Sequence, residues 1–266
     1  MARVLITGCS TGIGRASAVE LTKRGVEVIA TARRATTLEG LDVAEKIVLD
    51  VNDDDSVASV REAAGVVDAL VNNAGIGIHA PVEKVPLHEF RRVLETNVIG
   101  VLRMIQAFAP QMRERGSGVI VNVSSIAGRA ASPLGGLYSA SKYAVEAISE
   151  SLHYELSHWG VRVAIVEPGA FDTAFGDNRM IFGVDEAPYD ELDQIWASAQ
   201  GILQGTAGER PGPELVAQTI ADAIEGKEEK LRWPVGDDAK LVIDVRTSMN
   251  DEDFEATMRQ TLKLEW

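Results

Sequence analysis

Tyr138 and Lys142 stand four residues apart in the run Tyr-Ser-Ala-Ser-Lys, with Ser124 and Ser125 a short way upstream. On a helix, positions i and i+4 share a face one turn apart, close enough for an ammonium to act on a phenol. A free phenol titrates near 10, so service as a proton donor and acceptor near neutrality calls for a lowering of roughly 3 units, or about 4 kcal/mol. A neighbouring lysine supplies that much only where water is partly excluded. Taken alone, a Tyr and a Lys at this spacing are the edge of a core and a solvated charge. Their surroundings decide between the two.

Two elements must bring these groups together. Residues 119–123, Val-Ile-Val-Asn-Val, form a β-branched apolar run that predicts a buried parallel strand, and a helical pattern runs from 138 to about 158. The strand delivers Ser124 and Ser125; the helix delivers Tyr138 and Lys142. Successive strand residues point to opposite faces, so only one of the two serines meets the phenol.

With 266 residues, 45% of them hydrophobic, and no internal repeat, the chain reads as one domain over 1–266 with a sizeable core. Forty acidic against 26 basic residues give a net charge of −14, a field that repels nucleic acid and anionic membrane. Cys9 is the only cysteine, which excludes an internal disulfide, and no apolar run approaches the roughly 18 residues of a membrane span. The start enters a strand at once, without a signal-peptide core. A cytoplasmic protein is expected, and the reading calls for no metal.

In order, short apolar runs alternate with helical stretches. Strands are expected at 3–7, 26–31, 46–49, 67–71, 119–123, 161–166 and, at the edge, 231–235. Helices are expected at 12–24, 54–63, 87–114 (one or two), 138–158, 190–203 and 214–225. Such alternation makes an α/β fold of three layers, a doubly wound parallel sheet of Rossmann type joined by right-handed crossovers. Between the first strand and first helix stands Thr7-Gly8-Cys9-Ser10-Thr11-Gly12-Ile13-Gly14. Glycines there let the backbone approach a pyrophosphate, and the amides and dipole of the helix start favour an anion. The strand before and helix after are the context such a fingerprint requires. Gly8, Ser10, Thr11, Ile13 and Gly14 are therefore candidate phosphate-binding positions.

Thr-Gly-x-x-x-Gly-x-Gly at 7–14, Asn72-Asn73-Ala74-Gly75 after the fourth strand, Asn97, Ser125, Tyr138-x-x-x-Lys142 and Pro168-Gly169 together resemble the short-chain dehydrogenase/reductase family. The match runs in order from residue 3 to about 175. It implies hydride transfer between a nicotinamide cofactor and a carbonyl or alcohol, with Asn97, Ser125, Tyr138 and Lys142 as the catalytic four. Tyr138 would be general acid in reduction and base in oxidation. Ser125, favoured over Ser124 by the family's spacing, would hold the developing oxyanion. Lys142 would lower the phenol's pKa and bind the nicotinamide ribose, and Asn97 would hold a water linking Lys142 to solvent. A homo-oligomer, dimer or tetramer, is implied as well.

The resemblance extends to the cofactor. Asp50 and Val51 match the pair that contacts adenine, although Asp50 could equally cap a helix. Asn73, Ala74 and Gly75 would line the path to the nicotinamide. Pro168 and Gly169 turn the chain at the carboxyl edge of the sheet, and Thr173 matches the position that binds the carboxamide. A ribose 2′-hydroxyl would call for an acid at the end of the second strand, whereas a 2′-phosphate calls for arginine. The chain has Arg33 and Arg34 there and no acid before Glu39, which favours NADP, with NAD possible because Ser10 and Thr11 put no base in the Gly-rich turn.

From 170 to 212 the strand pattern lapses, a length that suits a functional lid as well as a surface helix. Leu192, Ile195, Trp196, Ala199, Ile202 and Leu203 recur at helical spacing, a stripe that either packs on the core or faces a ligand. With Phe171, Phe175, Phe182 and the small residues of 130–136, it would build an apolar pocket without an Arg or Lys cluster. The substrate is then an apolar ketone or hydroxysteroid-like alcohol. A charged tail follows from Asp237, and its Trp266 could dock on a partner subunit. A sugar-nucleotide epimerase or dehydratase shares the Tyr and Lys but normally exceeds this length, and a non-enzymatic, cofactor-sensing regulator would be expected to lose part of the catalytic set.

Overall fold

The computed structural model describes residues 2–203 and 210–264, and only the backbone of 200–203. Strand β1 (Arg3–Ile6), helix α1 (Gly12–Lys23), β2 (Glu27–Ala32) and β3 (Glu45–Val48) open the chain. Helix α2 (Asp54–Ala64) leads to β4 (Ala69–Asn72) and a two-residue strand, β5 (Ile78–His79). Helices α3 (Leu87–Leu94) and α4 (Gly100–Arg115) flank a π turn at Glu95–Ile99, before β6 (Gly118–Val123) and the long α5 (Gly136–Leu156). Next come β7 (Val161–Pro168), α6 (Ala174–Asp177), β8 (Met180–Ile181) and α7 (Tyr189–Leu203). Helix α8 (Glu214–Glu225), β9 (Arg232–Val235), α9 (Asp237–Ser248) and α10 (Asp251–Leu262) follow.

Seven strands form one parallel sheet in the order β3-β2-β1-β4-β6-β7-β9. Both faces are covered, which is why its central strands are apolar throughout. Val4 and Ile6 enter one core with Ala18 and Leu21 of α1 and Ile220 of α8. Leu5, between them, enters the opposite core with Val57, Met104, Phe108 and Leu152. Each of the larger of these side chains, fully buried, contributes about 1.5–3 kcal/mol. The result is the three-layered, doubly wound arrangement that the alternating pattern dictates.

Register sets where the site falls. Ile6 pairs with Val71, and Asn72 pairs with Asn122, so β1, β4 and β6 end together and their loops emerge at one carboxyl edge. The order reverses direction between β1 and β4, leaving a crevice there. Asn72 Nδ2 donates to Asn122 Oδ1 at 2.8 Å, and Asn122 Nδ2 donates to Ser149 Oγ at 2.8 Å, clamping two strand ends to α5.

Two stretches differ from expectation. Residues 170–212 are not free of strand: β8 pairs in parallel with β5, Ile78 opposite Met180 and His79 opposite Ile181. Two-residue strands leave no periodicity in a sequence, so only the tertiary pairing reveals them. The charged stretch from Asp237 is not an extended tail but α9 and α10, which bury Ala239, Ile243 and Leu262. Trp266 lies outside the described residues, as do the side chains of Ile202 and Leu203. No helix among the described residues is long and apolar enough to cross a membrane.

Candidate active site

The turn after β1 is built for close approach. Gly8 and Gly12 have φ of +75° and +55°, a region other residues enter only with strain. A Cβ on Gly8 would lie 2.9 Å from Ala74 Cα, and one on Gly14 would overlap the Asn73 amide and the Gly8 carbonyl. Thr7 Oγ1 accepts from the Asn73 and Ala74 N–H groups at 2.9 and 3.0 Å, while Asn73 Nδ2 donates to the Thr7 and Gly8 carbonyls at 2.9 and 3.1 Å. These bonds tie the loops of β1 and β4 into one wall. Gly14 is buried in that packing and does not line the cleft.

Helix α1 begins at this turn without a cap. The Thr11 side chain accepts nothing from the first turn, and no acidic residue stands there. The helix start therefore offers its N–H groups and positive dipole end to an outside anion. The cleft it borders has a volume of about 470 Å³. Gly8, Ser10 and Thr11 line one end, Arg33, Arg34, Asp50 and Val51 the far end, and Asn73, Ala74, Gly75 and Thr173 the near wall. Asp53, not Asp50, caps α2, by accepting from Asp55 and Ser56. Asp50 accepts from the Asn52 N–H at 3.0 Å and so shapes its own loop. Arg15 donates to the Thr37 and Glu39 carbonyls at 3.3 and 3.1 Å, bracing the loop after Arg34. Nothing in the Gly-rich motif announces that bracing role. A dinucleotide fits these residues: a glycine cradle and bare helix start for its pyrophosphate, guanidinium groups for a ribose phosphate.

A second cavity of about 300 Å³ adjoins the cleft and shares Asn73, Gly75, Thr173 and Phe175 with it. Ser125, Tyr138 and Lys142 open into this cavity, together with Ile13, Pro168 and Gly169. The Ser125 hydroxyl faces the Tyr138 phenol and favours its ionised form. The Phe175 ring lies 5.5 Å from the Tyr138 ring. Lys142 Nζ is 5.7 Å from the centre of the Tyr138 ring and donates to the Val123 carbonyl at 2.9 Å. Burial drives the phenol's pKa up, and the Ser125 hydroxyl only partly opposes this. The chain's own groups thus hold the phenol protonated, and the expected net lowering by Lys142 is not what they produce. Burial pushes Lys142 itself down to about 8, with the Glu146 carboxylate acting against that fall.

Asn97 sits in the π turn, and its side chain is committed to protein. Oδ1 accepts from the Ile76 N–H at 2.8 Å, and Nδ2 donates to the Ile76 carbonyl at 2.9 Å and to Ser141 Oγ at 3.0 Å. A Cβ on Gly75 would stand 3.3 Å from Asn97 Oδ1 and 3.8 Å from Lys142 Nζ, so these three converge. Its two amide protons being taken, Asn97 could hold a water only through a remaining oxygen lone pair or its main chain.

Behind Lys142 lies a charged cluster with no motif to signal it. Glu146 is one turn further along α5, and the Ser124 hydroxyl faces it, which separates the two serines as strand alternation requires. Arg232 reaches Glu146 at 3.2 Å, and Arg129 reaches the fully buried Glu167 at 2.7 Å. Burial raises Glu146 to about 7. At the Pro168-Gly169 turn, Asp238 of α9 accepts from the Ala170 N–H at 2.7 Å, so the stretch read as a tail braces the site.

Residues of the excursion line the second cavity. His79 Nε2 meets Asp193 Oδ1 of α7 at 2.6 Å, and Trp196 of the same helix lines the cavity. Phe171 and Phe175 line it too, whereas Phe182 packs against the cluster of Ile78, Ala80, Val85 and Val93. Contrary to expectation, Arg179 and Arg210 also reach its wall.

Comparison with known proteins agrees with this geometry. The profile of the short chain dehydrogenase family matches residues 2–180. The chain is 36% identical to human 17-beta-hydroxysteroid dehydrogenase type 1, over 86% of this chain and 76% of that protein. The crystal structure of a short-chain dehydrogenase from Streptomyces avermitilis, 35% identical, superposes with a TM-score of 0.83 over 98% of this chain and 97% of that one. A short chain dehydrogenase from Burkholderia cenocepacia in complex with NADP, 25% identical, gives 0.78 over 98% and 97%. With the motifs, the sheet order and the paired cavities in agreement, this chain belongs to the short chain dehydrogenase family of oxidoreductases.

Proposed function

We propose that the protein reduces a carbonyl, or oxidises the matching secondary alcohol, on a compound with an apolar body, using NADP. The observation that carries this reading is that Ser125, Tyr138 and Lys142 line one cavity, and that this cavity adjoins the cleft of the uncapped helix α1. A bound nicotinamide supplies the hydride for the carbonyl carbon. Tyr138 gives its phenolic proton to the carbonyl oxygen, and its raised pKa keeps that proton in place until the oxygen becomes basic. Ser125 hydrogen-bonds the same oxygen as charge develops on it. The Lys142 ammonium adds positive potential beside the phenol and offers its remaining protons to a ribose hydroxyl. Asn97 positions Ile76 and Ser141, and through them the loop of β4 and the first turn of α5.

In the cleft, Gly8, Ser10, Thr11 and the N–H groups of α1 would hold the pyrophosphate, with Gly14 allowing the close approach and Ile13 meeting the cofactor from the adjoining cavity. Asp50 and Val51 would bound the adenine, Asn73, Ala74 and Gly75 would line the path inward, and Pro168, Gly169 and Thr173 would meet the carboxamide. Arg33 and Arg34 favour the 2′-phosphate, and the NADP complex of the Burkholderia relative supports the choice. Residues 170–212 act as a lid, a role supported by the β5–β8 pairing and the His79–Asp193 contact. Phe171, Phe175 and Trp196 favour a bulky apolar body, in keeping with the hydroxysteroid dehydrogenase among the relatives. The test follows NADPH and NADH oxidation with aryl ketones, steroid ketones and sugars as acceptors. Turnover of apolar ketones with NADPH is the expected result, and turnover of sugars alone overturns it.

A further inference from the structure

Among the described residues, the charged side chains on the wall of the second cavity are opposite in sign to the protein's net charge. The chain carries 40 acidic and 26 basic residues, yet this wall includes Lys142, Arg179 and Arg210 and no Asp or Glu among the described residues. Lys142 is engaged at the catalytic end, where it donates to Val123. Arg179 and Arg210 belong to the excursion, on either side of α7. Arg179 is anchored at its base, since a Cβ on Gly77 would touch its own Cβ at 3.1 Å, and it forms no ion pair among the described residues. The Arg210 guanidinium lies over Gly176, where an added Cβ would be 3.8 Å from Nη1. Both cations thus border α6 and the same cavity that holds Phe175 and Trp196.

Guanidinium groups match a carboxylate through paired hydrogen bonds, and Arg179 and Arg210 stand exposed where the cavity meets solvent. A chain with a net charge of −14 would turn an anionic substrate away unless the entrance carried local positive charge. We infer that the substrate is an oxo acid or its hydroxy acid: an apolar carbonyl compound whose far end bears a carboxylate gripped by Arg179 and Arg210. This rests on the carbonyl–alcohol reading above and names the substrate class of that same site.

The probes are ω-phenyl-ω-oxo acids, from 4-oxo-4-phenylbutanoate to 6-oxo-6-phenylhexanoate, each paired with its methyl ester. Binding to the full chain with NADP+ present is read by intrinsic fluorescence, since Trp196 lines the cavity, and turnover is read with NADPH. At least one acid should bind about tenfold more tightly than its ester at low ionic strength, with a preference that shrinks as salt is added. Arg179→Gln and Arg210→Gln should each bring the acid-to-ester ratio close to one, and Arg179→Lys should retain part of it. Equal binding of acids and esters in the parent overturns the inference, as does a preference that persists in both Gln variants. If neither compound is turned over but the acid still binds preferentially through Arg179 and Arg210, the reaction assignment fails and the anion site stands.

Discussion

Lys142 reaches past the Tyr138 ring to donate to the Val123 carbonyl at 2.9 Å, so the ammonium is held by the end of β6 and not by the phenol. Strand and helix are thereby locked at the point where Ser125 and Tyr138 meet. The lysine contributes charge to the site from a position that the backbone of its neighbour sets.

Replacing Tyr138 by Phe removes one hydroxyl and keeps the ring against Phe175. Turnover should fall by at least about 10²-fold, the usual loss when a general acid is removed, with NADPH affinity nearly intact. Lys142→Ala should lose activity comparably and also weaken cofactor binding. Steady-state rates with an aryl ketone, beside cofactor titrations, check both.

The Lys142 ammonium, lowered to about 8 by burial, should impose an alkaline limb near pH 8 on kcat/KM. Glu146 favours the charged ammonium, so Glu146→Gln should move that limb to lower pH, by roughly half a unit to one unit. A structural role for Glu146 alone would lower the whole profile without moving it. The stability signs follow from the same shifts. Glu146 has a folded value of about 7, above the ordinary 4.5, so its stabilising contribution is full below 4.5 and is lost as pH rises to 7. Lys142 has a folded value below the ordinary 10.5, so its contribution grows as pH rises from about 8 towards 10.5. Glu146→Gln should flatten the first of these slopes in urea titrations.

Arg33 and Arg34 are exposed at the far end of the cleft, with no acid at the end of β2. NADPH should bind about tenfold more tightly than NADH, and Arg33→Asp should reverse the order by removing a phosphate partner and adding a repelling charge. Equal affinities in the parent would defeat the assignment of NADP.

Asn97→Ala would leave the Ile76 N–H and carbonyl and the Ser141 hydroxyl without the partner they share. The expected cost is about 3 kcal/mol of stability, measured by chemical denaturation, with a larger loss of kcat than of cofactor affinity. A variant of parental stability would mean that water replaces the amide fully.

Asp193→Asn weakens the 2.6 Å contact with His79 while keeping its shape. KM should rise several-fold with kcat less affected, and limited proteolysis within 175–203 should quicken. In the parent, cofactor and ketone together should slow cleavage there; cleavage indifferent to ligands would end the lid reading.

By itself the sequence determined the parallel sheet and singled out the residues proposed here as catalytic. Those depend on local signals: β-branched runs, a glycine turn between strand and helix, and a Tyr and Lys one helical turn apart. Alternation along β6 even separated Ser125 from Ser124 before any contact was known. The tertiary structure alone decided what distant segments bring to the site. Asp238 arrives from α9 to brace Ala170, Asp193 from α7 to meet His79, and Arg129 and Arg232 from separate loops and strands to neutralise Glu146 and Glu167. The upward shift of the Tyr138 phenol was equally out of reach, because desolvation depends on everything packed around a group and not on its neighbour at i+4. Arg179 and Arg210, 31 positions apart and without a motif, become one feature only when the chain folds them onto a single cavity wall.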